Sequence, residues 1–143
     1  MDTREMLASF RIPIPLGIDE VATVIDACLN CAQSCTSCAD ADLLEDDVDE
    51  MRRCAALDAS CADLCETTAR ILSRPGQWDE FVVHRLLQAC ARVCDACAEE
   101  CARHAAHHRH CAICEKACRA CERACNELLE GEAFTELQKL AGG

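Results

Sequence analysis

The sequence predicts an all-α fold, an antiparallel up-down-up-down four-helix bundle with a cysteine-lined core, and three observations carry that reading. Ala, Leu, Glu, Asp and Arg are abundant while Gly numbers five and Pro three, a composition that favours helix. Four long segments each repeat cysteine at intervals of three and four residues, the period of one helix face. The breaks between them span only about four to six residues, so successive helices run antiparallel. At 143 residues the chain is of one-domain size and long enough to bury a core.

Residues 1–18 form an N-terminal arm, with one turn over TREMLAS before Pro13 and Pro15 impose extended backbone. The bundle domain occupies 19–130. Its first helix begins at Asp19, a good N-cap residue, and runs to about Ala41. The second starts near Asp47, where Glu50 completes an Asp version of the capping box, and reaches about Leu72 before the breaker SRPGQ. Asp79 caps the third helix, which extends to about His104. The fourth spans about His108 to Glu130, with Gly131 suited to its C′ position. ARHAAHHRH, between the third and fourth, holds neither Gly nor Pro and fixes their turn only approximately. In the tail, 131–143, apolar residues at 133, 134, 137, 140 and 141 predict a short amphipathic helix closing one end of the bundle or packing on a neighbour.

Sixteen cysteines beside one Trp, three Phe and no Tyr make an unusual core inventory. At about 100° per residue, Cys111, Cys114, Cys118, Cys121 and Cys125 fall within an arc of roughly 80°. Cys28, Cys31, Cys35 and Cys38 repeat that pattern on the first helix. Cys90, Cys94, Cys97 and Cys101 share about 60° on the third, and Cys54, Cys61 and Cys65 about 40° on the second. Leu and Ile hold these positions in an ordinary bundle. Glu115, Lys116, Arg119, Glu122 and Arg123 lie off the stripe, so the thiols form the core.

A few buried cysteines act simply as small hydrophobes. Sixteen inward-facing ones forfeit much of the apolar area that Leu would bury, at roughly 25 cal/mol per Å². Disulfides fit poorly, because cysteines three or four apart on a helix have Cβ atoms about 5–6 Å apart, against about 3.8 Å in a disulfide. Metal binding fits better. Thiolates select Cu(I), Zn(II) or iron–sulfur clusters. Zinc asks for discrete tetrahedral sets, and iron–sulfur clusters for a few fixed, loop-borne sites. Here CxxC and CxxxC units overlap without boundaries between sites. Cu(I) accepts two or three thiolates and lets one thiolate bridge two ions, so multiple ions per chain, up to about one per cysteine, are expected. Binding displaces thiol protons, so uptake weakens as pH falls.

The two ends of the predicted tube differ. One gathers Cys38, Met51, Cys54, Cys101, His104, His107, His108 and Cys111. His104 continues the third-helix stripe, and His107 continues the fourth if that helix extends back to it. Met51 supplies a thioether, a Cu(I) ligand as well as a core filler. His110 reads as surface. At the other end Val21, Val24, Leu72, Val83, Leu86 and Leu129 continue the stripes as an apolar plug, so metal is expected to pass through the histidine end. Asp58 is the polar intruder on the second-helix stripe, placed either to bond across the bundle or to approach a metal or its ligand.

The net charge of −12 argues against nucleic acid and suits a solvated surface, with a negative mouth attracting cations as a lesser reading. The opening MDTREMLASFRIPIPLG lacks the pattern of a signal peptide, and no window approaches a membrane span, so a cytoplasmic chain is expected.

Cysteine ladders through four helices with a His- and Met-bearing end resemble the bacterial copper storage proteins, also described as cysteine-rich four-helix bundle copper-binding proteins. The resemblance covers roughly 19–130 and points to the cytosolic branch. It implies a non-catalytic store of many Cu(I) ions in each bundle and an assembly of four bundles, a homotetramer. Unloading would go to a copper chaperone or a small thiol ligand. Asp58 departs from the pattern and puts the local copper arrangement on that helix in question. Two alternatives stay open on the residues alone: a zinc or cadmium buffer of metallothionein type, and a thiol–disulfide redox enzyme. The latter would need an exposed, low-pKa CxxC at a helix N-terminus.

Overall fold

The computed structural model describes residues 1–131, Phe134, Thr135 and Lys139. The elements bounded among the described residues are α1 (Thr3–Ala8), α2 (Ile18–Asp42), α3 (Val48–Leu72), α4 (Glu80–His104) and α5 (Arg109–Glu130), with a 3₁₀ turn at Pro75–Gln77. The four long helices form a ring in which α2 packs on α3 and α5, and α4 packs on the same two. Short connections at 43–47, 73–79 and 105–108 make neighbours antiparallel, as the break lengths require.

The caps show where local chemistry decides the boundaries. Asp79 caps α4 as expected, its side chain accepting from the backbone N–H groups of Phe81 and Val82. Three other boundaries differ from the sequence reading. α2 starts earlier, after Gly17 rather than at Asp19, because Gly17 takes φ 90°, a left-handed conformation open to glycine. Asp47 precedes α3, but its side chain makes no cap bond and turns instead to His108. Gly131 ends α5 at φ −69° in extended backbone, without the left-handed turn of a C′ glycine.

The arm is tied down. Asp2 caps α1 through the Glu5 N–H, Thr3 Oγ1 donates to Asp26, Arg4 pairs with Asp19, and Leu7 and Leu16 are buried. The plug forms where predicted, with Val21, Val24, Leu72 and Val83 buried. Leu86 and Leu129 are only half-buried, and their neighbours Leu87 and Leu128 fill the plug instead. Phe134 is also buried there, its ring 5.3 Å from that of His84. The rest of the tail helix expected over 131–143 lies outside the described residues.

With the core above the plug made of thiols, the plug carries a large share of the apolar burial. Leu87→Ala is therefore expected to destabilise the reduced, metal-free protein by about 2–5 kcal/mol, measured by denaturant unfolding. A loss under about 1 kcal/mol would show that the plug collapses around the deletion without cost.

Candidate metal centre

The sequence places a cysteine on the inner face of a long helix at almost every turn, and the bundle brings all sixteen together as free, buried thiols. Steps of three and four keep each Sγ within one narrow face, and antiparallel packing interleaves the four ladders. Sulfur–sulfur separations across helices are short: Cys35–Cys114 3.4 Å, Cys35–Cys118 3.5 Å, Cys28–Cys121 3.6 Å and Cys65–Cys94 3.6 Å. Along a helix, Cys31–Cys35 and Cys61–Cys65 are 3.8 and 3.9 Å apart.

The thiols form overlapping tetrads up the tube. Cys28, Cys90, Cys121 and Cys125 lie next to the plug, followed by Cys31, Cys65, Cys94 and Cys121. Cys31, Cys35, Cys61 and Cys118 come next, then Cys35, Cys97, Cys114 and Cys118. Within each set the donor atoms lie within 4.8 Å of one another. Cys31, Cys35, Cys118 and Cys121 each belong to two sets. Such sharing suits an ion that tolerates bridging thiolates and low coordination number more than one needing a private set of four.

Asp58 sits within this ladder, fully buried. Its Oδ1 accepts from Cys97 at 2.9 Å and from Cys101 and Cys114 at 3.4 Å, and its Oδ2 from Cys54 at 3.7 Å. It thus bonds across the bundle, and with Cys38, Cys54 and Cys101 it completes a further metal-sized set. Burial, then the charge of nearby Cys114 and the hydrogen bond with Cys97, pushes its pKa up to about 12. Met51, also buried, packs one turn before Cys54.

The histidines divide differently from the sequence reading. His104 Nε2 faces Glu100 Oε2 at 3.0 Å, and Glu100, almost fully buried, also accepts from Arg53 Nε at 3.1 Å. His107 is exposed, because α5 begins only at Arg109 and the stripe does not run back to it. His108 is held between two carboxylates of the α2–α3 loop, with Nδ1 2.8 Å from Glu45 Oε2 and Nε2 3.1 Å from Asp47 Oδ2. His110, expected on the surface, is the one that reaches the thiols. Its Nδ1 lies 3.3 Å from Cys38 Sγ and 3.6 Å from Cys111 Sγ. The imidazole stands in the first turn of α5, beside the stripe, and is long enough to lean across to α2.

Asp42 is the functional-site residue the sequence reading passed over. It is fully buried, next to Cys38, Cys111 and His110. Its spacing was a usable signal, since 28, 31, 35, 38 and 42 keep the rhythm of three and four. Burial, then the charge of Cys38, raises its pKa. Burial works against charging His110, but hydrogen bonding and charge from Cys38, with Glu45 and Asp42, raise its pKa. Burial also pushes the Cys111 thiol up.

The Asp58 carboxyl carries a sign-defined consequence for the empty protein. Its folded pKa lies above the unfolded value near 3.9, so the folded form holds an extra proton between about pH 4 and 12 and loses stability as pH rises through that window. Asp58→Asn removes this slope. The metal-free variant is expected to gain stability over the parent at neutral pH, with a margin that widens up to pH 9 in thermal unfolding. Parallel melting curves at every pH would contradict it.

Comparison with known proteins then supplies an independent reading of this thiol-filled tube. Residues 18–130 match the family described as Csp, copper storage protein. A structure of the copper storage protein Ccsp from Streptomyces lividans loaded with 10 copper equivalents superposes with TM-score 0.88 at 46% identity, covering 90% of this chain and 98% of that one. A second, of copper loading to a cytosolic copper storage protein of the same organism with five coppers, gives TM-score 0.78 at 52% identity over 79% of this chain and 94% of that one. A histidine-to-alanine variant of Ccsp gives TM-score 0.79 at 50% identity, over 80% and 96%. No match is found among curated proteins. Four helices, shared thiol sets and these likenesses converge on one conclusion: the chain belongs to the copper storage protein family.

Proposed function

We propose that this chain is a cytosolic, non-catalytic store that holds many Cu(I) ions on the thiolates of its sixteen core cysteines. The observation that carries the reading is the ladder of buried, shared thiol sets, which gives soft ligands to many ions and excludes water from them. Met51, Asp58, His104, His107 and His108 belong to or border the same end of the bundle and are the further candidates for handling copper there. A zinc or cadmium buffer agrees less well with the shared sets and with the copper-loaded relatives. A redox enzyme agrees less well with the burial of every thiol.

Within that reading, residues 1–18 act as an arm clamped on α2, 19–130 as the storage domain and 131–143 as a closing tail. The cytosolic location follows the Streptomyces lividans relative. No described helix is long and apolar enough to cross a membrane. The stored ions would be exchanged with a copper chaperone or a small thiol ligand, and four bundles would assemble as a homotetramer. Sedimentation of the reduced protein, empty and loaded, measures that assembly.

The deciding experiment is an anaerobic titration of the reduced protein with Cu(I) against a chromophoric Cu(I) chelator. Capacity approaching about one ion per cysteine is expected. Saturation after one or two ions would overturn storage. Loading should also release protons. Burial favours the neutral thiol, so at neutral pH each thiolate formed on metal binding gives up a proton. About one proton per Cu(I) is expected from calorimetry in two buffers of different ionisation heat, and apparent affinity should fall about tenfold per pH unit for each proton displaced per ion. Uptake without proton release would mean that the empty core is already ionised.

A further inference from the structure

The stretch DADLLEDDVDE, residues 40–50, ends α2, forms the loop and opens α3. It holds seven carboxylates and no basic residue, in a chain whose net charge is −12. In its middle stand Leu43 and Leu44, 60% and 81% exposed, more than any other large apolar side chain among the described residues except Met1. Exposed leucines scattered singly are ordinary. These two instead edge a groove of about 880 Å³ between α2 and α3, with Ala55, Ala56 and Ala59 as its α3 wall and Asp40 as a charged group at its border. An apolar centre with carboxylates around its rim is the anatomy of a protein-binding face.

The face adjoins the mouth of the tube. Leu43 directly follows Asp42, whose Oδ1 lies 3.8 Å from Cys38 Sγ and 3.7 Å from Cys111 Sγ, the last thiol of α2 and the first of α5. On the other side of the leucines, Glu45 and Asp47 hold His108. A partner seated on the leucines therefore stands beside the outermost thiols of the ladder.

From this placement we infer that the 40–50 loop and the alanine groove beside it form the docking face for a protein that exchanges Cu(I) with the store: a small protein with basic side chains around an apolar centre and the ion on a pair of surface thiolates. The inference rests on the copper-storage reading and names the surface on which exchange takes place. Charge complementarity selects the occupant. A second copy of the same face would set carboxylates against carboxylates, and nucleic acid or an anionic membrane would be repelled. Arg52 answers Asp49 at 2.7 Å and Arg53 turns to Glu100, whereas Asp40, Asp46 and Glu50 stand exposed around the leucines. Basic side chains are drawn in by this field, which raises the encounter rate, and burial of the leucines then holds the pair. Loading passes Cu(I) from the donor's thiolates to Cys38 and Cys111 without change of oxidation state. The two protons these thiols release return to the donor's sulfurs, and unloading reverses both steps.

The test uses two synthetic peptides, each carrying Cu(I) on a Cys-x-x-Cys loop beside a phenylalanine, one flanked by lysines and the other by glutamates. Each is mixed anaerobically with the reduced, metal-free full-length protein, and loading is followed by the luminescence of Cu(I) among the core thiolates. The lysine peptide is expected to load the store at least tenfold faster at low ionic strength, an advantage that shrinks towards nothing near 1 M salt. Leu43→Ser combined with Leu44→Ser should slow the lysine peptide by roughly tenfold or more, while total capacity and loading from a chromophoric Cu(I) chelate stay unchanged. Both leucines are exposed, so the core is untouched, and circular dichroism checks the helices. Asp40→Asn combined with Asp46→Asn should lower the lysine peptide's advantage about threefold. Equal rates from the two peptides, or a leucine variant that accepts from the lysine peptide as fast as the parent, overturns the inference. So does a changed sedimentation of the leucine variant, which would give the face to contacts between copies. Saturation from the chelate after one or two ions is a different failure, that of the storage reading itself.

Discussion

Every part of this molecule depends on one constraint: sulfur atoms held 3.4–4.0 Å apart in a dry interior. A thiol is one of the few side chains that satisfies both halves of it. Neutral, it packs as a small apolar group and asks little of its neighbours in hydrogen bonding. Deprotonated, it is a strong ligand for a soft cation. The empty bundle can therefore fold around its ligands without the cost that buried carboxylates or imidazolium ions would bring. The helix fixes the rest. Its period turns alternating steps of three and four into a straight ladder, and the ring of four helices turns ladders into shared sets.

The same constraint explains how the fold distributes its stability. Cysteine and alanine bury less apolar surface than leucine, so the tube is the weak part of the core. Compensation lies at one end, where Val21, Val24, Leu72, Leu87, Leu128 and Phe134 close the bundle and Leu7 and Leu16 of the arm pack beneath. Metal adds to this by linkage, since an ion bound to the folded thiols and not to the unfolded chain stabilises the fold.

The ladder was legible from the sequence because residue type and helical period coincide at every cysteine; the helices and their order followed. What escaped were features in which the two separate. Asp42 keeps the spacing of the first ladder but changes residue type, so following cysteines alone stops one step short of it. His110 is the reverse case, a ligand-type residue off the stripe by about 100°, which reaches Cys38 only because α2 and α5 are neighbours. His107 has the spacing to continue the α5 stripe, but α5 begins only at Arg109. Paired leucines hid a one-residue ambiguity, and Leu87 and Leu128, not Leu86 and Leu129, face inward. Gly17 displaced Asp19 as the start of α2 because positive φ is a backbone property that a search for capping side chains does not register.

The two ends of the tube are built on opposite physical terms. The plug end is apolar and closed by the arm. The other end keeps polar groups in pairs: Glu100 between Arg53 and His104, and His108 between Glu45 and Asp47. These pairs bind α3 to α4 and the α2–α3 loop to the start of α5, so the mouth is held by polar contacts where the plug is held by apolar burial. Against this order, Asp42 alone among the described residues keeps a buried side-chain oxygen unpartnered, at a helix end that disfavours its charge. A sequence that otherwise agrees with its fold at each level departs from the local rules where a function requires it. In this bundle the departure lies beside Cys38, Cys111 and His110, where sulfur, nitrogen and oxygen atoms meet at the end of the thiol ladder.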